Sequence, residues 1–588
     1  MSSKRSVSVA MFLAVVLAVF LSFWALDRND VVTDEASYMA RGIGMLDFNF
    51  GIEQPTPIQW VQSVPWWMKF SFHDHPLLVF LFEKLFFGAF GENVFAGRVP
   101  AALAGVVSVV LLYFIGRELY SKSAGAISAL LFAVTVGHVW ISRVALQESI
   151  VIVLMLAGSY CFIRSLGLLS SGSIDQSIEP NTRWLLAASG FLGISFLAKY
   201  TALILVPIFL TVLLFKRRDY LSYKNFYFIL SILCFLVVIS PVIIYNIGLY
   251  HTFGHFDFQL SYVFGQKVAA WSEMPGKEDI GSLGKRFNDY LPTLFKINSP
   301  FFLLLSFGGL LLMLRQAKLH IIFFSFFVWL AASMLVVSPT ERFLTMLVPW
   351  LSISAAFSLT SVSEFVAFRV REVISQHSNI LQNVGMFFIF TIIAFEAFYS
   401  YNSVIALSPV GGAPWAYAAE VRRDNYNWGY NQLENFISSE LAGKRPEPAV
   451  SFDYPVISRL IDKVVGEDAE KGFEPKPWMI IYNGNQSLGA QLWIFLRRSV
   501  YHGWPTVDVE TYRKVIAENG PEYFKKLGIK EAYFVQNTKG ILLREVRTRP
   551  LTSDGDILEA RVKDARVKPH EIKNLRGDVA FLVYKFAP

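Results

Sequence analysis

The sequence predicts a polytopic α-helical membrane protein of about eleven transmembrane helices, with interfacial helices in its first outer loop and a small C-terminal α/β domain outside the bilayer. Three observations carry that prediction. Hydrophobic residues make up 54% of the 588 and charged residues only 17%. Mean hydropathy is +0.43. Apolar runs of about 15 to 22 residues, near the length that crosses a hydrocarbon core of roughly 30 Å, recur through residues 1–403 and stop there.

Taken in order, residues 7–26 follow Lys4 and Arg5 and form the first span. The run is long for a signal peptide, and no small-x-small cleavage site precedes Asp27, so it reads as a retained helix. Further spans are expected at 99–115, 124–140, 150–163, 184–198, 202–215, 226–247, 301–314, 321–337, 343–361 and 384–401. Residues 76–90 are apolar but short and contain Glu83 and Lys84, which suits a helix lying in the interface. With that helix flat, the loops holding Arg117 and Lys122, Arg164 and Arg183, Lys216 to Lys224, Arg315 and Lys318, and Arg369 and Arg371 all share the cytoplasm with the N-terminus. The net charge of +7 is thereby a matter of topology and not a nucleic-acid surface. Both cysteines, Cys161 and Cys234, fall in apolar runs, so no thiolate metal site or disulfide is expected.

The same topology collects polar residues on the extracytoplasmic face. Asp34 and Glu35 stand just beyond the first helix, where Thr33 or Asp34 suits a helix N-cap and a partly desolvated carboxylate suits a general base. His73, Asp74 and His75 precede Pro76, which suits the first position of the interfacial helix. Their adjacent spacing is a poor metal set. Arg143 and Glu148 lie at the next outer turn, Lys199 in a tight helical hairpin, and Arg342 at the start of a later span. A guanidinium or ammonium at this depth can anchor to headgroups or meet a lipid phosphate. After 403 the pattern becomes strands at 479–482, 531–535 and 579–586 and helices at 431–441, 488–498 and 510–527. Two domains follow: 1–403 in the membrane and 404–588 outside it.

The ordered series resembles the GT-C membrane glycosyltransferases that use polyprenyl-phosphate sugars, namely the protein O-mannosyltransferases and the aminoarabinose transferases of lipid A. The residues that carry it are the acidic pair, the His-Pro motif, Arg143 with Glu148, and Arg342-Phe343-Leu344 leading to Leu347-Val348-Pro349-Trp350, with a weaker match at Tyr426-Asn427-Trp428-Gly429-Tyr430. The resemblance implies that Asp34 is the catalytic acid, Glu35 an acceptor-side acid, His75 a donor-side residue, and Arg143 and Glu148 the later arginine and acid. The family acid is usually Asp, and here Glu148 follows Gln147. Arg342 and Lys199 join Arg143 as candidate donor-phosphate ligands, and Tyr38, His73 and Asp74 as substrate contacts. The implied partners are a polyprenyl-phosphate-linked sugar, membrane lipid and a glycan, lipid or protein acceptor. No cofactor is required, although a divalent cation stays open, and no Gly-rich nucleotide loop stands out. A phosphate leaving group needs no proton, so one carboxylate base suffices for an inverting transfer. The rival readings are a secondary transporter, which would call for mid-bilayer ionisable groups and repeated halves, and a non-catalytic receptor or scaffold.

Overall fold

The computed structural model describes residues 4–31, 33–46, 65–167, 182–221, 226–268, 281–373, 378–410, 427–546 and 549–588. Most of the length of each apolar run read from the sequence falls on helix. The first is α1 (Lys4–Phe23). After the short α2 (Asp34–Gly44) and α3 (Leu78–Phe90) come α4 (Val94–Leu119), α5 (Lys122–Val134), α6 (Val136–Ile141), α7 (Gln147–Ser165), α8 (Thr182–Ala198) and α9 (Leu205–Lys216). The bundle continues with α10 (Phe226–Phe253), α11 (Phe258–Val263), α12 (Leu283–Lys296), α13 (Pro300–Leu314), α14 (Ile321–Val337), α15 (Glu341–Leu344), α16 (Val348–Val373) and α17 (Ser378–Ser400).

Among the described residues, six helices are long and apolar enough to cross a membrane. The pair α12 and α13 passes together but bends by 119°, and four shorter apolar helices pack among them. The chain is an integral membrane protein. Between α4 and α5 the packing is close because both sides lack bulk: a Cβ on Gly116 would stand 2.8 Å from the Gly125 Cα, a small-residue contact of the kind that joins helices where no hydrophobic drive operates.

Local chemistry moves some boundaries. The expected span at 124–140 breaks at Thr135, whose extended backbone separates α5 from α6 while its hydroxyl donates to the Leu131 carbonyl at 2.6 Å. Pro76 does not open α3. The Phe72 N–H instead donates to the His75 carbonyl at 3.0 Å, closing a small turn, and the helix starts two residues later. Thr33 occupies the N-cap of α2 without a side-chain cap bond, leaving Asp34 and Glu35 in the first turn, where the helix dipole favours acids.

The basic turns gather at one end of the bundle. Arg164 pairs with Glu118 at 3.2 Å, and Arg217 donates to the Leu166 carbonyl at 3.3 Å. Lys224 and the side chains of Arg369 and Arg371 lie outside the described residues.

The C-terminal domain sits on the opposite end. Strands β1 (Lys444–Pro446) and β2 (Glu474–Lys476) form a parallel pair, and a five-stranded sheet has the order β4-β3-β5-β7-β6. In it, β3 (Trp478–Tyr482) runs parallel to β4 (Thr506–Asp508) and β5 (Glu531–Asn537), while β7 (Val579–Phe586) is antiparallel to β5 and to β6 (His570–Lys573). The three expected strands are present. The strands β4 and β6 and the helices Pro455–Glu470 and Asp554–Asp564 were too short or too polar to read. This domain rests on α2 and α3: the Tyr501 hydroxyl donates to the Ala40 carbonyl at 2.8 Å, Trp493 meets the Phe87 ring at 6.4 Å, and His502 pairs with Glu92 at 2.9 Å.

Candidate active site

The end of the bundle beneath the C-terminal domain holds two polar assemblies. In the first, Arg342 on α15 donates to Asp34 Oδ2 at 2.6 Å and stands 3.7 Å from Glu148 Oε1. Glu148, in the first turn of α7, accepts from Lys199 Nζ at 2.5 Å. Phe343 lies under both cations, 4.6 Å from Lys199 Nζ and 5.1 Å from the Arg342 guanidinium carbon. The Glu148 side chain is 0% exposed and that of Lys199 10%, but Asp34 is 61% exposed and Arg342 29%. Four residues spread over 308 positions therefore form one row that is closed at Glu148 and open at Asp34.

Beside this row, His75 places Nδ1 3.0 Å from Asp74 Oδ2 and turns its ring edge to Tyr38 at 5.5 Å. Arg41 holds Asp74 with two bonds of 2.9 and 3.1 Å and stacks over Phe72 and Phe80. Burial alone would raise the Asp74 carboxyl, but Arg41, His75 and His73 together hold it well below the usual carboxylate range. His73 is buried and its carbonyl accepts from Phe258. Among the described residues no three His, Cys, Asp or Glu side chains gather as a metal-ion set.

The second assembly is closed. Glu35 is 1% exposed, receives Arg98 Nε and Nη2 at 2.7 and 2.8 Å, and also accepts the Ala145 N–H at 2.7 Å. Arg98 Nη1 and Nη2 reach the carbonyls of Leu26, Asn29 and Asp30. Arg143 donates to the carbonyls of Leu21, Ser22 and Ala25, the unpaired C-terminal end of α1. The structure gives two of the expected site residues buried partners. Glu35 does not face the same opening as Asp34, because consecutive residues on a helix point about 100° apart and Arg98 takes its side inward. Arg143 spends its guanidinium donors on three carbonyls at the end of the first helix.

Reading the sequence missed Arg41, Arg98, Asp30 and Asn431. Arg98 does carry a signal: it is a charge inside the apolar helix α4, where an unpaired cation is too costly to keep. A small apolar void lies among Ile152, Met155, Leu156, Ser159, Met346 and Trp350. The first four follow Glu148 by four, seven, eight and eleven residues, so they continue its face of α7.

The architecture is a helical bundle with a His-Pro loop and an acid after the first helix, capped by a small α/β domain. The fold matches crystal structures of ArnT from Cupriavidus metallidurans, in the apo state with a TM-score of 0.51 and 13% identity, over 99% of this chain and 98% of that one. A second ArnT structure, bound to undecaprenyl phosphate, gives a TM-score of 0.50 over the same spans. Residues 74–245 match the family Dolichyl-phosphate-mannose-protein mannosyltransferase. "Putative mannosyltransferase YycA" of Bacillus subtilis (strain 168) is 26% identical over 225 residues, which are 38% of this chain and 30% of that protein. "Putative mannosyltransferase YkcB" of the same organism is 22% identical over 42% of this chain and 32% of its own length. The chain thus covers about a third of the length of either relative.

Proposed function

We propose that the protein transfers a sugar from a polyprenyl-phosphate carrier to a hydroxyl acceptor, a glycan, lipid or protein, on the extracytoplasmic face of the membrane, with inversion. The observation that carries this reading is the open row Asp34–Arg342–Glu148–Lys199, because it joins an accessible carboxylate to two cations gathered on one buried acid. A lipid-linked phosphate needs cations at the bilayer edge, where its headgroup enters while its chain stays in the hydrocarbon.

Asp34 takes the proton from the acceptor hydroxyl as its oxygen attacks the anomeric carbon, on the face opposite the phosphate. The bond from that carbon to the phosphate oxygen breaks, and the electron pair leaves with the polyprenyl phosphate. Arg342 and Lys199 stabilise the departing charge, a contribution of about 3 to 4 kcal/mol per well-placed donor. Glu148 holds both cations at the required depth. In the resting protein Arg342 is bonded to Asp34, so a phosphate that draws the guanidinium away also frees the base. The orientation rests on the basic turns, which by the positive-inside bias belong to the cytoplasm and leave the row and the C-terminal domain outside.

Transfer assayed in purified protein against a panel of polyprenyl-phosphate hexoses and pentoses tests the reading. One donor is expected to support transfer that Asp34→Asn lowers by about 100- to 10,000-fold while binding of undecaprenyl phosphate persists. Absence of transfer from every carrier, or full activity in D34N, overturns it. Placement of residues 34 and 117 on the same side of the membrane by cysteine labelling removes the orientation.

A further inference from the structure

The backbone leading to Asp34 carries an unusual load of satisfied carbonyls. Arg143 takes those of residues 21, 22 and 25, and Arg98 those of 26, 29 and 30. The remaining donors come from the C-terminal domain, where Asn427 Nδ2 stands 3.5 Å from the Arg28 carbonyl. Asn431 Nδ2 stands 2.9 Å from the Asp27 carbonyl, 3.3 Å from that of Arg28 and 2.7 Å from that of Asn29. An amide has two N–H bonds, so the two shorter contacts use both and Arg28 shares.

The attachment is reciprocal. The Asn431 N–H donates to Asp30 Oδ1 at 2.8 Å and the Trp428 N–H to Oδ2 at 2.5 Å. Asp30 is 0% exposed. A carboxylate from residue 30 thus caps the helix Tyr430–Leu441 across about 400 residues of sequence, and that helix's second residue clamps the carbonyls preceding the carboxylate. Gly429 makes the approach feasible: its φ is +96°, and a Cβ there would stand 2.5 Å from that of Ala580. The weak motif 426–430 noted in the sequence is therefore the hinge that presents Asn431, with Tyr426 itself outside the described residues.

We infer that Asn431 is a positioning residue: through the carbonyls of 27–29 the C-terminal domain sets where the Asp34 carboxylate stands. The inference rests on the proposed role of Asp34. Arg98 fixes Glu35 on the far side, so Asp34 is held between two anchors only six to eight residues apart in sequence, and release of one lets the carboxylate drift without dismantling the bundle. A general base displaced by about 1 Å loses up to roughly 100-fold in rate.

The test compares Asn431→Ala, Asp34→Asn and the double variant in purified full-length protein, with the donor found by the panel above and undecaprenyl phosphate as the binding probe. Asn431→Ala is expected to lower kcat by about 10- to 100-fold and to leave donor KM, undecaprenyl phosphate binding and the unfolding midpoint of the membrane bundle within error. On the Asp34→Asn background the same change is expected to do nothing further, because its effect passes through that carboxylate. Asn431→Ser, which keeps one donor, should recover part of the rate and serves if the alanine variant does not accumulate. A second measurement needs no donor: in Asp34→Cys protein, Asn431→Ala should change the rate of modification of that cysteine by a soluble maleimide several-fold over the background of Cys161 and Cys234. An unchanged kcat, an equal loss in both backgrounds, a loss confined to donor KM, or an unchanged labelling rate overturns the inference. Retention of full activity by Asp34→Asn alone overturns instead the reading on which it rests.

Discussion

The row around Arg342 and the knot around Arg98 are built from the same materials, yet the protein treats them oppositely. Asp34 and Glu35 are neighbours, and each meets a guanidinium. Glu35 is buried with both oxygens bonded and its arginine also committed to three carbonyls. Asp34 is 61% exposed and shares one bond with an arginine that also faces Glu148. A saturated ion pair in a closed interior holds structure, because neither partner can leave without stranding a charge. A half-open pair with one bond can exchange partners, which is the condition for chemistry.

That contrast has measurable consequences. Asp34→Asn should lower transfer by about 100- to 10,000-fold, the range for a general base, with no change in the thermal unfolding midpoint. A matching loss of fold would make the two regions alike. Arg98→Ala should instead remove about 3 to 5 kcal/mol of stability by leaving Glu35 buried and unpaired, read as loss of folded protein in detergent. Survival of a stable, active R98A protein would mean that the knot is not structural.

Asp30 belongs to the knot and predicts a pH dependence. Burial pushes its carboxyl up to about 6, with the backbone N–H groups of Asn431 and Trp428 working in the other direction. The folded protein thus binds this proton more tightly than the unfolded chain, whose Asp titrates near 3.9. The corresponding stability is full below about pH 4 and is lost as pH rises through 6, about 3 kcal/mol for a shift of this size. Relative to the wild type, Asp30→Asn should therefore gain stability from pH 4 to pH 7, and a pH-independent difference would remove the assignment. The smallest effect is expected from the arginines changed to lysine. Arg342→Lys should raise donor KM about tenfold, because the fork that bonds Asp34 and faces Glu148 is lost. Arg143→Lys should leave donor KM alone and lower the unfolding midpoint by a few degrees, which chevron-free thermal scans can resolve.

Much of this was legible beforehand. Hydropathy located the apolar helices because each must satisfy its own backbone in lipid, a demand that any window of about twenty residues registers. Asp34, Glu148, Lys199 and Arg342 were visible as charges at helix ends, and the structure brings them together. The partners that separate the two assemblies were not visible. Nothing near Glu35 in sequence announces Arg98, sixty-three residues away, and nothing near Asp30 announces Asn431. The strands β4 and β6 were missed because their three or four residues are too few for an alternating pattern.

The sequence by itself determined the solvent of this protein, the approximate course of its helices and the set of ionisable residues at their ends, because these follow from local hydropathy and charge. Only the tertiary structure decided which acid of the adjacent pair stays open, that Arg143 serves a helix terminus, and that the C-terminal domain grips the chain before Asp34. Those outcomes depend on which donors reach which acceptors across the fold, and the direction of a side chain one helical step away is set by packing that local composition does not encode.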